Sequence, residues 1–300
     1  SLKPRRNKVI AEADCFPSDL YVLEGVKSLR PDLEILLEGR DGSSIHEMLD
    51  EQVAAVLINH VDYRSGIIRD MENLTRQVQE FGGLAVWDLS HSAGIFPVQL
   101  NRCRVDFAVG CTYKYLNGGP GAPAYLYAAS RHHTACNQPL SGWFGHARPF
   151  DFERHFDPDS GIRRFVCGTQ PILSLRALQS GLEIYQDVSL QQVREKSMAL
   201  TDLFIKLLKN ECAAWELEII SPEDASQRGS QVAVSHPQGY AVMQALISRG
   251  VIGDFRAPNL MRFGFAPLFL SYQDIHDAVK QLKQILEKEE WNQEAFLQKS

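Results

Sequence analysis

The chain has 300 residues, 44% of them hydrophobic, with 31 lysines and arginines against 37 aspartates and glutamates, a formal net charge of −6. That length and apolar content can build a large core plus a smaller one, so one or two domains are expected, and the acidic balance excludes the basic footprint of a nucleic-acid-binding protein. No apolar run approaches the length of a membrane span, no signal peptide is visible, and the six cysteines show no paired spacing, which favours a reducing cytoplasm over a disulfide framework.

In chain order, residues 8–14 (KVIAEAD) read as a strand, followed by CFPSDLY and a helical stretch to Leu29. A second strand is expected over 33–37 and a short helix over 44–50, capped by Ser43 or Ser44. Residues 53–59 (VAAVLIN) form a buried strand, and 69–81 carry helical spacing that stops at Gly82 and Gly83. The run 84–87 then ends in Asp88, with His91 three residues on. Another apolar run, 107–109, passes through Gly110 and Cys111 into Thr112, Tyr113 and Lys114, before a loop with Gly118, Gly119, Pro120 and Gly121. The run 124–128 follows so soon that it is expected to lie antiparallel to its predecessor, because a parallel crossover needs a dozen or more residues. Strands alternating with helices predict an α/β fold with a mixed, mostly parallel, doubly wound sheet.

Further on, 141–148 (SGWFGHAR) is a glycine-interrupted aromatic segment, and 165–173 reads as a loop opening a helix with Thr169 as its cap. A long helical region is expected over 171–210, with Leu190, Val193, Leu200, Leu203, Phe204, Leu207 and Leu208 mostly on one face. The remainder reads as a smaller α+β unit: strands over 217–220, 231–234, 251–255 and 261–265, helices over 240–249 and 272–288. The division is placed at residues 1–181, a large cofactor-binding domain, and 182–300, a small C-terminal domain.

Ligands in open α/β sheets gather where the strands end. Two such ends here deliver an acid (Asp88), an imidazole (His91), a phenol (Tyr113) and an amine (Lys114). An amine at the lip of a buried sheet loses its charge by desolvation and becomes an imine-forming nucleophile. Pyridoxal phosphate is held through such a lysine and needs an acid beside its ring nitrogen, a role open to Asp88. The plainer readings are that Asp88 caps a helix and Lys114 is a solvated loop lysine. Phe16, after the first strand, is either a ring-stacking aromatic or a core phenylalanine. Asp19 is either an acid near that ring or a helix cap shared with Ser18. Trp143 offers its indole N–H to a phosphate oxygen or packs at an interface. Arg262, among apolar neighbours in NLMRFGFAPL, must face a carboxylate, either a substrate's or that of Asp254 or a nearby Glu in an internal salt bridge. The pairs His60 with Asp62 and Asp88 with His91 admit a metal-dependent hydrolase, which leaves Lys114, Tyr113 and Arg262 without a task. Asn59 is a weak candidate for the site rim.

The combination of CFPSDLY, WDLSHSAG and CTYKYLNGGPGAP resembles kynureninase, a family within the fold-type I (aspartate-aminotransferase) superfamily of pyridoxal-phosphate enzymes. The likeness runs from about Lys8 to the C-terminal helices. It implies a cofactor on Lys114, with Phe16, Ser18, Asp19, Asp88, His91, Tyr113, Trp143 and Thr169 around it. It also implies that Arg262 binds the substrate's α-carboxylate, and that Thr169 reaches the substrate's aromatic end across a homodimer interface. The implied reaction is hydrolytic cleavage of L-kynurenine, or 3-hydroxykynurenine, between its β and γ carbons, giving anthranilate and L-alanine in tryptophan catabolism and NAD biosynthesis. A cysteine desulfurase or aminotransferase of the same superfamily is the nearest rival, and an inactive dimerising fragment is another. No desulfurase-type cysteine loop is found, with Cys136 and Cys167 the remaining candidates. One departure stands out. The family's phosphate cradle lies upstream of the Phe-Pro-Ser-Asp segment, and no such cradle is found here, so the chain is expected to be a C-terminal part lacking that region.

Overall fold

Each short apolar run bounded by turn residues becomes a strand in the computed structural model, which describes residues 2–40 and 42–297. The described chain divides into two units. The first is built from residues up to His60, from Asp70–Ser90 and from Val98–Glu183. In order it contains β1 (Lys8–Glu12), α1 (Pro17–Leu29), β2 (Glu34–Glu38), α2 (Ile45–Met48), β3 (Val53–Asn59), α3 (Met71–Glu80), β4 (Leu84–Asp88), β5 (Phe107–Cys111), β6 (Ala124–Ala128) and α4 (Ile172–Glu183). The strands form one sheet in the order β2-β1-β3-β4-β5-β6. The first five are mutually parallel, and β6 runs antiparallel to β5, as the short connection requires.

The central strands are buried on both faces, with Ile10, Ala11, Val56, Ile58, Ala85, Trp87 and Ala108 all fully enclosed. Removing each large side chain from water contributes about 1.5–3 kcal/mol. α3 shows how local chemistry sets an element's limits. Asp70 caps it by accepting from the Asn73 N–H at 3.0 Å, and Gly82, at φ +76°, ends it in a conformation that L side chains resist. On its inner face Thr75 Oγ1 accepts from the Trp87 indole at 2.9 Å, so that buried ring's one polar atom is satisfied.

The second unit comprises Val61–Arg69, His91–Pro97 and the chain from Ile184 onward. It holds α5 (Leu190–Glu211), β7 (Glu218–Ile219), β8 (Gln231–Ser235), α6 (Gly239–Ser248), β9 (Asp254–Arg256), β10 (Leu260–Gly264), α7 (Tyr272–Glu287) and α8 (Glu294–Leu297). Its antiparallel sheet has the order β7-β8-β10-β9. Leu200 and Phe204 of α5, Met243 and Leu246 of α6 and Leu282 of α7 pack with Val232, Val234 and Met261 of the sheet into one apolar core.

Three expectations are corrected. The helical region 171–210 is two helices separated by a 3-10 turn (Ile184–Gln186). Ser189 and Gln192 form a capping box that starts a new helix at Leu190. The strand expected over 217–220 shortens to Glu218–Ile219, and that over 251–255 begins only at Asp254. Gly253 there lies so close to the Arg262 carbonyl that an added Cβ would meet it at 2.7 Å.

Candidate active site

The order β2-β1-β3-β4-β5 places the chain's reversal of direction at β1 and β3. The connection from β1 leads outward to β2, and the next one returns past β1 to β3. Crevices at the carboxyl ends of such a pair are where open α/β sheets hold ligands. Here Glu12 ends β1 and Asn59 ends β3, and they close on each other: Glu12 Oε2 accepts from the Asn59 backbone N–H at 2.8 Å and from Asn59 Nδ2 at 2.9 Å, both buried. The next strand ends in Asp88, which is 9% exposed and whose Oδ1 accepts from the Ser90 N–H at 2.7 Å.

Asp19 enters from the first turn of α1. Its Oδ2 is buried and has no hydrogen-bond partner among the described residues. Burial, then repulsion from Asp88 and Glu12, pushes the Asp19 carboxyl up from 3.8 to about 6, against the lowering influence of Lys114. The same acids, Asp19, Glu12 and Asp88, add to burial in pushing the Cys15 thiol up to about 12. Asp19 therefore sits in the fields of both Asp88 and Lys114. Lys114 follows β5, and its Nζ stands 5.5 Å from the Tyr113 ring centroid. The Tyr113 phenol is raised by burial and then by Cys111 and Asp88, so it remains a proton donor at neutral pH.

In the second unit, Arg262 on β10 lies in register with Asp254 on β9. Its Nε donates to Asp254 Oδ1 at 2.6 Å, Nη2 donates to Asp254 Oδ2 and Nη1 donates to the Tyr63 carbonyl. The internal salt bridge is thus present. His91 also belongs to this unit.

The kynureninase C-terminal domain model matches residues 193–282. Over 294 residues the chain is 47% identical to a kynureninase of Burkholderia mallei, covering 98% of this chain and 70% of that protein. The chain belongs to the kynureninase family. Among solved structures, a cysteine desulfurase from Thermococcus onnurineus superposes with a TM-score of 0.77 at 18% identity, over 95% of this chain and 74% of that one. C-DES, solved with glycine covalently linked to its PLP cofactor, gives 0.79 at 15% identity, over 93% and 74%. Both share the mixed α/β fold expected from the strand and helix pattern.

Other expected site residues of this kynureninase-family chain come from several elements. Phe16 occupies the N-cap position of α1 and is 39% exposed. Neither Ser18 nor Asp19 caps that helix: it starts at Pro17, whose missing N–H suits a first helical position, and the N-cap residue Phe16 makes no side-chain cap bond, because its phenyl ring carries no acceptor. Trp143 lies in a 3-10 turn (Trp143–Gly145) among Phe144, Phe150 and Phe152. Thr169 is exposed and stands three residues before Ile172, too far to cap α4. His60 packs edge-on against Trp87, and burial lowers its imidazole to about 4. The Asp62 carboxylate is spent on the turn at Arg64 and Ser65. Among the described residues no group of three or more His, Cys, Asp or Glu side chains could hold a metal, and no helix is long and apolar enough to cross a membrane.

Sequence reasoning missed Glu12, Cys15 and Tyr125. Glu12 carries the signal that singled out Asp88, a carboxylate ending an apolar strand. Tyr125 had none. It faces Gly110 across β5 and β6, and its phenol occupies the space a side chain at Gly110 would fill, 2.3 Å from an added Cβ. That hydroxyl is buried without a hydrogen-bond partner among the described residues.

Proposed function

We propose that this chain carries out the kynureninase reaction, the hydrolytic cleavage of L-kynurenine between its β and γ carbons to anthranilate and L-alanine, with pyridoxal phosphate as cofactor. The observation that carries the reading is the Asp19 carboxyl, in the fields of both Asp88 and Lys114 at the sheet's crevice, in a chain 47% identical to a kynureninase.

The residues present fit the cofactor's ring. A buried carboxylate oxygen without a partner suits a site completed by a cationic ring nitrogen, and a lysine stands close enough to influence it. When bound, pyridoxal phosphate supplies an electron-withdrawing ring that stabilises negative charge at the substrate's α-carbon. Lys114 would hold the cofactor through Nζ, and the same amine would move the proton at the substrate's α-carbon. Asp88 would hold a proton on the ring nitrogen, with Asp19 adding negative charge beside it. Phe16 would stack on the ring, and Ser18, His91, Trp143 and Thr169 would complete its surroundings. Tyr113, kept protonated by its surroundings, would donate a hydrogen bond to the phosphate or a proton to the substrate's β-carbon as its bond to the γ-carbon breaks. Arg262 receives the α-carboxylate.

The reading includes a cytoplasmic homodimer acting in tryptophan catabolism and NAD biosynthesis, with a cofactor-binding domain over 1–181 and a small domain over 182–300. Six free cysteines support a reducing compartment. α1 and α4 bury no residue within the chain, which supports association.

The test is direct. Pyridoxal phosphate added to the protein should produce a visible absorption band, and L-kynurenine should release fluorescent anthranilate. Lys114→Ala should lose both. Sulfide from cysteine in place of anthranilate, or a Lys114→Ala protein that keeps the band, would refute the proposal.

A further inference from the structure

The Arg262 guanidinium is held on three sides. Asp254 takes Nε and Nη2 side-on, the Tyr63 carbonyl takes Nη1, and the Tyr63 ring lies 5.4 Å from the guanidinium carbon. A guanidinium has five N–H donors in a planar fork. Three are spent, which leaves one on Nη1 and one on Nη2 without a partner among the described residues. The Arg262 side chain is 11% exposed, and that of Asp254 44%. Asp254 Oδ2 also receives a contact at 3.4 Å from Arg256 Nη2. Two arginines therefore share one carboxylate, and the cluster stays cationic although Arg262 is paired.

We propose that Asp254 is a positioning residue for substrate binding: it fixes the Arg262 fork so that the remaining N–H of each terminal nitrogen meets an amino acid's α-carboxylate, while Arg256 keeps the cluster attractive to that anion. This rests on the reading of Arg262 given above. The salt bridge and the substrate contact, alternatives when only the sequence is considered, then become two halves of one device. The internal carboxylate removes the rotamer freedom that a long side chain would otherwise lose on binding. The two fixed donors match a carboxylate's geometry.

The proposal is tested on the holoenzyme by steady-state kinetics with L-kynurenine. Asp254→Asn should raise KM about tenfold with kcat within about twofold, the pattern of a group that acts on binding alone, and Asp254→Glu should recover much of the loss. A second readout does not use turnover. In cofactor-free protein, phenylglyoxal modification of Arg262, mapped by peptide mass spectrometry, should be slowed by L-alanine, and Asp254→Asn should need about tenfold more L-alanine for the same protection. An unchanged or lower KM and unchanged protection in Asp254→Asn would overturn the proposal, a lower KM marking Asp254 as a competitor for the fork. Arg262→Gln separates the two claims. If it leaves KM unchanged, the α-carboxylate binds elsewhere and both readings fall. If it raises KM while Asp254→Asn does not, only the role of Asp254 falls.

Discussion

Replacing Asp19 by asparagine tests the electrostatics of the crevice in the cofactor-free protein. The Asp19 carboxyl is raised from 3.8 to about 6, chiefly by burial and then by Asp88 and Glu12. Between those values the folded protein holds a proton that the unfolded chain has released, so stability falls as pH rises through this window and levels off above it. At about 1.4 kcal/mol per pH unit, a displacement of about two units sets an upper limit near 3 kcal/mol. Partial solvent access halves this to about 1.5 kcal/mol. Asparagine keeps the shape and carries no charge to desolvate. Asp19→Asn should therefore melt about 4 °C higher than the parent at pH 8, with the advantage vanishing near pH 4. Differential scanning calorimetry at the two pH values measures this. Equal melting temperatures at pH 8, or a variant less stable there, would show that the carboxyl is not crowded as described. The same variant should bind pyridoxal phosphate more weakly, which gives a reason for keeping a destabilising acid at this position.

Asp106 is the opposite case, far from the crevice at the entry to β5. It is 2% exposed and accepts from the Ala85 N–H, Gln79, Arg131 and His132. Burial would raise this carboxyl, but the donors from Gln79, His132, Ala85 and Arg131 outweigh it and hold it below its ordinary value. Its contribution is therefore complete above about pH 4 and fades as pH falls further. Asp106→Asn turns an amide N–H toward two of those donors and should cost about 3 kcal/mol at pH 7 in urea unfolding, with anthranilate release per folded molecule unchanged. Gly110→Ala drives a methyl into the Tyr125 phenol and should cost about 1–3 kcal/mol. Adding Tyr125→Ala should recover most of that in the same denaturation assay, and no recovery would refute the steric account.

Local patterning by itself determined much of this protein. VAAVLIN becomes β3 at its expected limits, the sheet is mostly parallel, and β6 is antiparallel because its connection is too short for a crossover. Asp88 and Lys114 were legible as candidates because each stands at or just past the end of an apolar strand. Tertiary structure alone decided the strand order. Periodicity reports which face of a strand is buried, and is silent on which strand lies beside it. Only pairing β1 with β3 brings Glu12 against Asn59 and sets Cys15, Asp19 and Asp88 in one another's fields. Tyr125 joins that neighbourhood because Gly110 leaves room for its ring, a relation between two strands that neither segment encodes. The pairing of Arg262 with Asp254 has the same origin. A buried guanidinium must find a carboxylate, and the register of β9 against β10 decides which one.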